Sequence, residues 1–165
     1  MTPSALRLRP FEPRDLDRLQ AIRAAAFAPV FASFRAILGA EIGKVALAEA
    51  EAEQAALLDE VGAPGAPHEA LVASVAGTVV GLVSFQIDPI RRIGEIGLNA
   101  VDPAHARRGI GTALYEAALG RMKESGMAMA TVATGGDASH AAARRAYAKA
   151  GFGPGIPSVY LYRLL

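Results

Sequence analysis

The chain has 165 residues, of which 52% are hydrophobic and 20% charged, a composition typical of a folded globular protein. Its 17 lysines and arginines nearly balance its 16 aspartates and glutamates, so charge gives no reason to expect nucleic acid or a membrane as a partner. The lack of cysteine excludes a disulfide scaffold, a thiolate metal site and a cysteine nucleophile, and three scattered histidines do not predict a zinc site.

The first third of the chain is predicted to be one strand followed by helices. "LRLR" at residues 6–9 alternates and predicts a short strand. Pro13 suits a first helical turn, and residues 29–61 are expected to be helical with interruptions at Gly39 and Gly43. No uninterrupted apolar run reaches signal-peptide or membrane-spanning length, so we expect a cytoplasmic protein. The many alanine, arginine and glycine residues are typical of a GC-rich bacterial genome.

The middle of the chain is predicted to be rich in strands. "GAPGAPHE" at residues 62–69 indicates a loop. The runs 70–76 and 78–87 meet at Gly77 and predict a β-hairpin, whose second strand is apolar on both faces and therefore central in a sheet. Residues 94–103 predict another strand, which ends at an Asp-Pro pair.

The last third is predicted to alternate helix and strand. A helix is expected to end at Gly126, and residues 127–134 predict a strand. A second helix over 140–150 follows, with Asp137 or Ser139 as its cap. Finally, "SVYLYRLL" at the end of the chain alternates and predicts a last strand. Helices and a mostly antiparallel sheet in this order indicate a mixed α/β or α+β domain.

The stretch "ARRGIGTAL" at residues 106–114 puts two arginines and two glycines where a helix begins. The first N–H groups of a helix have no partner inside it, and its dipole adds about half a positive charge there. Gly109 and Gly111 let an anion approach the backbone, so the stretch predicts a phosphate or pyrophosphate site. A plain strand-to-helix turn is the alternative. A P-loop is excluded because no Gly-Lys-Ser/Thr follows, and a dinucleotide fingerprint because its third glycine is Leu114 here.

This stretch is part of a longer motif, and a second motif follows nearer the end of the chain. "VDPAHARRGIGTALYEAAL" at residues 101–119 and "HAAARRAYAKAGF" at 140–152 resemble the two signatures of the GNAT superfamily, the acetyl-CoA-dependent N-acetyltransferases. The predicted order of elements is similar over nearly the whole chain. The sequence departs from the family pattern at Ala106, where the family has Gln or Arg, and at His140, where it has Asn. The matching residues are Val101, Pro103, Gly109, Gly111, Ala143, Tyr147, Gly151 and Phe152.

The resemblance implies an acyl-CoA N-acyltransferase fold over residues 1–165, with a mixed, mostly antiparallel sheet of six to seven strands and about four helices. It implies acetyl-CoA as co-substrate and no metal. In the family the fourth and fifth strands splay apart and the freed edge binds the peptide-like pantetheine arm; an ordinary ladder is the alternative. The implied cofactor-binding residues are Asn99, Ala100, Val101, Ala106, Arg107, Arg108, Gly109, Ile110, Gly111, Thr112, His140 and Tyr147.

Two residues are candidates for proton transfer, because an amine with a pKa of about 10.4 must lose a proton and the departing thiolate gains one. The resemblance places Tyr147 as the proton donor near the sulfur; packing on the sheet is the alternative. It places Glu95 as the base; an ion pair with Arg91 or Arg92, or an exposed strand end, is the alternative. His68 and His105 are expected to be structural or exposed.

Three functions are compatible with these residues. The first is an N-acetyltransferase that acts by direct transfer to an amine of a small molecule or peptide. The second is a non-catalytic acyl-CoA sensor, and the third binds a different nucleotide at the same anion site. A homodimer is compatible with the sequence. The resemblance implies an acceptor groove, or alternatively a simple core face, built from residues 27–44 and 153–158, with Phe27, Phe31, Phe34, Arg35, Pro154 and Pro157.

Overall fold

The computed structural model describes residues 6–61, 63 and 65–165, which form five strands and four helices. The strands are β1 (Leu6–Pro10), β2 (His68–Val75), β3 (Thr78–Asp88), β4 (Ile93–Val101) and β5 (Met129–Val132). The helices are α1 (Leu16–Ala46), α2 (Ala50–Val61), α3 (Ile110–Glu124) and α4 (Ala141–Lys149). Short 3-10 turns lie at Pro13–Asp15, Pro103–His105 and Ala138–His140.

The strands form one mixed sheet in the order β1-β2-β3-β4-β5. The first four strands pair antiparallel, whereas β4 and β5 pair parallel. A parallel pair needs a crossover connection, which α3 provides. The predicted mixed, mostly antiparallel α/β fold with four helices is therefore confirmed, although the described part of the chain has five strands and not six to seven.

The predicted last strand over residues 158–165 is wrong. The chain is irregular from residue 153 onward, and its apolar side chains are exposed, with Leu161 at 90% and Tyr160 at 85%. Alternating apolar and polar residues indicate strand propensity, but a strand forms only where a neighbouring strand completes its hydrogen bonds. Within the described residues this Gly- and Pro-led segment does not pair with β5, which lies at the sheet edge.

The predicted hairpin and its central strand are confirmed. Between β2 and β3 the chain turns at Ala76 and Gly77, whose φ angles are 51° and 81°. Two positive φ values are what a type I′ turn requires. On β3, Leu82 and Val83 are both fully buried, and they belong to clusters on opposite faces of the sheet.

Two apolar clusters fix the helices on the two faces of the sheet. On one face, Leu114 of α3 packs with Phe85 of β3. On the other, Leu19 of α1 and Leu58 of α2 pack with Leu82. Burying each such side chain is worth about 1.5–3 kcal/mol. The two layers hold β3 and β4 rigidly between them, which positions the site described below.

Helix α1 bends at one of the two predicted breaks. Gly39 has φ 72° and ψ 176°, a left-handed φ that favours glycine. The predicted break at Gly43 is wrong, because this residue is helical and buried. A Cβ there would lie 3.9 Å from the Cα of Arg35, an ordinary contact distance, so the helix accepts this position without a break.

By length and composition alone, Pro13–Ala46 could cross a membrane. An 18-residue window in it has a mean hydropathy of 1.5, and 17% of that window is buried. The sequence prediction counted only uninterrupted apolar runs, which Arg35 breaks. In this structure α1 packs on β3 and β4, as a core helix does. The absence of a membrane partner and the cytoplasmic location stay predictions.

Candidate active site

β4 and β5 separate part-way along their length. Among the described residues β5 pairs with β4 over residues 93–96, and β4 continues to Val101. A register shift against β3 places an extra β4 residue near Gly97 and Leu98, a bulge that bends the strand. The edge of residues 97–101 therefore faces a cleft of about 570 Å³, at the place where the family resemblance implied that the strands splay.

The loop after β4 is held in place by Asp102. Its carboxylate accepts a 2.9 Å hydrogen bond from the Ala104 N–H and pairs with Arg18 of α1. These contacts, the backbone hydrogen bond first, hold the pKa of Asp102 below its usual range. The loop consequently leads in a fixed direction into the first turn of α3.

The N-terminus of α3 is open to a ligand. Gly109 has φ 78°, and nothing lies within 4 Å of the position of a Cβ there. At Gly111 a Cβ would lie 3.9 Å from Val101, an ordinary contact distance. The N–H groups of the first turn and the helix dipole favour an anion at this position, and Arg107 and Arg108 are exposed beside it.

The other implied cofactor residues differ in what they can present. The side chains of Ala100 and Ile110 are buried in opposite clusters, so only their backbone groups are available. Ala106 is exposed and Thr112 is half-buried. Binding along this stretch would therefore depend mainly on backbone groups, and the replacement at Ala106 removes no backbone donor.

Tyr147 lies at the end of a hydrogen-bonded relay inside the cleft. Tyr115 donates its hydroxyl proton to Asn99 Oδ1 at 2.7 Å, and Asn99 Nδ2 donates to the Tyr147 oxygen at 2.9 Å. The Tyr147 oxygen thus accepts one hydrogen bond and keeps its own proton to donate. Tyr147 is also buried against the Tyr115 ring, with the centroids 5.0 Å apart. Packing and proton donation, offered as alternatives by the sequence, are both compatible with this geometry.

The sequence analysis missed Tyr115 and the side-chain role of Asn99. Burial, with the neighbouring Tyr147 adding to it, raises the pKa of Tyr115 far above its usual range. Tyr115 therefore stays protonated, and each hydrogen bond of the relay keeps the same donor and acceptor. A signal was present, because Tyr115 follows Gly111 by four residues and so lies on the same helix face one turn later.

Glu95 lies in the same cleft but is less enclosed. It is an exposed β4 residue, and Gln86 of β3 donates a hydrogen bond to its carboxylate at 3.1 Å. Among the described residues it forms no ion pair with Arg91 or Arg92, the partners that an alternative interpretation gave it. Its carboxylate thus lies at the wall of the cleft, with Gln86 as its hydrogen-bond partner.

His140 belongs to a polar cluster that sequence reasoning did not find. Asp137 contacts His140 Nδ1 at 2.6 Å and accepts hydrogen bonds from the backbone N–H of Ser139, at 3.1 Å, and from Ser33 of α1, at 2.8 Å. Phe34 stacks on the His140 ring at 5.7 Å. The cluster ties α1 to the start of α4 across the cleft, and its link spans about a hundred residues of sequence.

Replacing Asp137 with asparagine is expected to lower Tm at pH 7 by about 4–10 °C, because hydrogen bonds to a charge contribute about 1.5–3 kcal/mol. Hydrogen bonds from Ser139, Ser33 and His140 lower the pKa of Asp137, so its stabilisation is complete above the unfolded pKa of about 3.9 and is lost as the pH falls further. Thermal melts between pH 3 and 7 should show the deficit shrinking below about pH 4. A deficit that is constant with pH would contradict this account.

The predicted acceptor groove is only partly present. Phe27 lines the cleft, whereas Phe31 is buried in the protein. Arg35 pairs with Glu51 of α2 instead of facing the cleft. The prediction that Pro154 and Pro157 form the far wall is wrong, because both are exposed in the irregular C-terminal segment and do not line the cleft. His68 and His105 do not line it either: His68 begins β2, and His105 lies beside Asp102.

Together, the split sheet and the open N-terminus of α3 form a cleft whose length and charge suit an extended, partly anionic ligand. The sequence model of the acetyltransferase (GNAT) family matches residues 35–152. The chain therefore belongs to this family, and the resemblance of its two motifs is confirmed. It is an acyltransferase by family. No curated protein sequence matches it significantly.

Solved structures share the fold at low sequence identity. A GNAT-family acetyltransferase from Desulfovibrio desulfuricans has a TM-score of 0.70 at 18% identity, over 92% of this chain and 87% of its own. The aminoglycoside N-acetyltransferase AAC(6')-Iy, in complex with CoA, has a TM-score of 0.67 at 14% identity, over 97% and 95%. A GNAT-family acetyltransferase from Brucella melitensis, in complex with acetyl-CoA, has 0.61 at 21%, over 93% and 92%.

Proposed function

We propose that the protein transfers the acetyl group of acetyl-CoA to a primary amine of a small molecule or peptide, by direct transfer in a ternary complex. One observation carries the proposal. The free edge of β4 runs from the open N-terminus of α3 to the hydroxyl of Tyr147, and Glu95 lines the same cleft. Family membership supports acetyl transfer, and this arrangement supports an amine as the acceptor.

The residues present fit the co-substrate. The first turn of α3, from Gly109, would hold the pyrophosphate, because its N–H groups are open and no Cβ stands in the way. The backbone of Asn99, Ala100 and Val101 would pair with the pantetheine arm as a neighbouring strand does. When bound, acetyl-CoA supplies an activated acyl group on a thiol leaving group.

Two side chains of the cleft then carry out the proton transfers. Glu95 first takes one proton from the bound ammonium and passes it to water, and the neutral nitrogen then forms its bond to the acetyl carbon as the carbon–sulfur bond breaks. Tyr147 gives its hydroxyl proton to the departing sulfur and regains a proton from the newly acylated nitrogen, and the relay from Asn99 holds that hydroxyl in place. The lack of cysteine removes the thiol that a covalent acetyl-enzyme would most readily use. Direct transfer with both substrates bound together is therefore the proposed route.

Replacing Glu95 with glutamine is expected to lower kcat/KM about tenfold at pH 7, the modest size reflecting an exposed base that water partly replaces. The loss should shrink as the pH approaches the pKa of the amine, since a neutral amine needs no base. The measurement is the rate of thiol release between pH 6 and 10. Glu69→Gln, an exposed change on β2 away from the cleft, is the matched control. A Glu95→Gln profile parallel to that of the wild type would remove Glu95 from the mechanism.

A further inference from the structure

The acceptor side of the cleft is walled by apolar side chains. Because residues alternate along β4 and the bulge shifts this alternation, Glu95 and Leu98 lie on the face covered by α1 and α2. There the cleft is lined by Phe27 and Val30 of α1 and Leu57 of α2. Part of this surface is not buried in the protein core, since Leu57 is 53% exposed. This wall offers contact to an apolar ligand.

The charged residues of the cleft also limit which ligands it can accept. Among the described residues that line it, Glu95 is the only carboxylate, and Gln54 is the neutral polar residue that α2 contributes. One carboxylate can receive one ammonium group. A second ammonium inside the cleft would lose water without gaining a carboxylate partner, which is costly for a charge.

We propose that the acceptor is a primary monoamine with an apolar alkyl or aryl body, and not a polyamine or an aminoglycoside. This inference rests on the proposed function, and it deepens it by naming the class of substrate. The amine nitrogen is placed at Glu95, and the apolar body lies against Phe27, Val30 and Leu57. The aminoglycoside N-acetyltransferase resembles this chain in fold at 14% identity. Its substrate is therefore no guide to the acceptor of this chain.

The test compares kcat/KM, from thiol release, for 2-phenylethylamine and hexylamine against spermidine, kanamycin and triglycine. The apolar monoamines are expected to exceed the other three by about tenfold or more, since one small apolar group in a pocket discriminates by about 10–200-fold. A preference for spermidine, kanamycin or triglycine would overturn the inference and leave the proposed function standing. Turnover of no amine, in a protein that still binds acetyl-CoA, would overturn both.

A pair of variants locates the wall. Leu57→Asp should lower kcat/KM for hexylamine about tenfold and leave spermidine unchanged or improved, because it exchanges apolar contact for a second carboxylate. Ile37→Asp is the matched control, since Ile37 is 64% exposed on α1 and does not line the cleft; it should change neither value. Both positions are exposed, so Tm should stay close to that of the wild type. An equal loss for both amines in Leu57→Asp would contradict the apolar wall.

Discussion

Replacing Gly111 with aspartate is expected to abolish the rise in Tm that acetyl-CoA gives the wild type. At 100 times its Kd, a ligand stabilises the native state by about 2.7 kcal/mol, or about 5–10 °C for a chain of this size. The new carboxylate would lie in the first turn of α3, where the pyrophosphate is proposed to bind, and two anions would compete for the same N–H groups.

The variant should still fold, and this makes the result interpretable. A Cβ at Gly111 meets Val101 at 3.9 Å and Tyr115 at 4.0 Å, both ordinary contacts, and an acidic residue stabilises a helix start. Gly120→Asp is the matched control, because a Cβ at that position of α3 meets nothing within 4 Å. Differential scanning fluorimetry with and without acetyl-CoA is the measurement. A full shift in Gly111→Asp would show that the anion does not bind at this turn.

Replacing Tyr147 with phenylalanine is expected to lower kcat about 100-fold, the lower end for a positioned acid. The change removes the hydroxyl that accepts from Asn99 and keeps the ring against Tyr115. The affinity for acetyl-CoA should therefore stay close to the wild-type value. Tyr160→Phe, in the exposed C-terminal segment, removes a hydroxyl without touching the cleft. Rates within about twofold of wild type would leave Tyr147 as a packing residue only.

Local signals predicted the parts of the site that are local in sequence. The helix start at Gly109 needs a left-handed φ and an open approach, both of which depend on a few neighbouring residues. The family resemblance of the second motif implied that Tyr147 belongs to the site, and the structure places it on α4, where it lines the cleft. Such features could be predicted because a turn or a helix face is determined within about ten residues.

Contacts between distant segments could not be predicted in this way. The hydrogen bond from Ser33 to Asp137 and the relay from Asn99 to Tyr147 depend on how helices pack over the sheet. The strand prediction for the C-terminal segment was wrong for a related reason. Its alternating pattern does not indicate which strand would pair with it. Gly43 was misassigned because glycine lowers helix propensity without by itself ending a helix.

The most direct test of the proposed function is an assay of the wild-type protein with acetyl-CoA and an apolar primary amine. We expect release of CoA thiol only when the amine is present, in equal amount to acetylated amine measured by mass spectrometry. Initial rates at varied concentrations of both substrates should give intersecting double-reciprocal lines, as a ternary complex requires. A protein whose Tm rises with acetyl-CoA but that releases no thiol with any amine would be a binding module, and that result would contradict the enzyme proposed here.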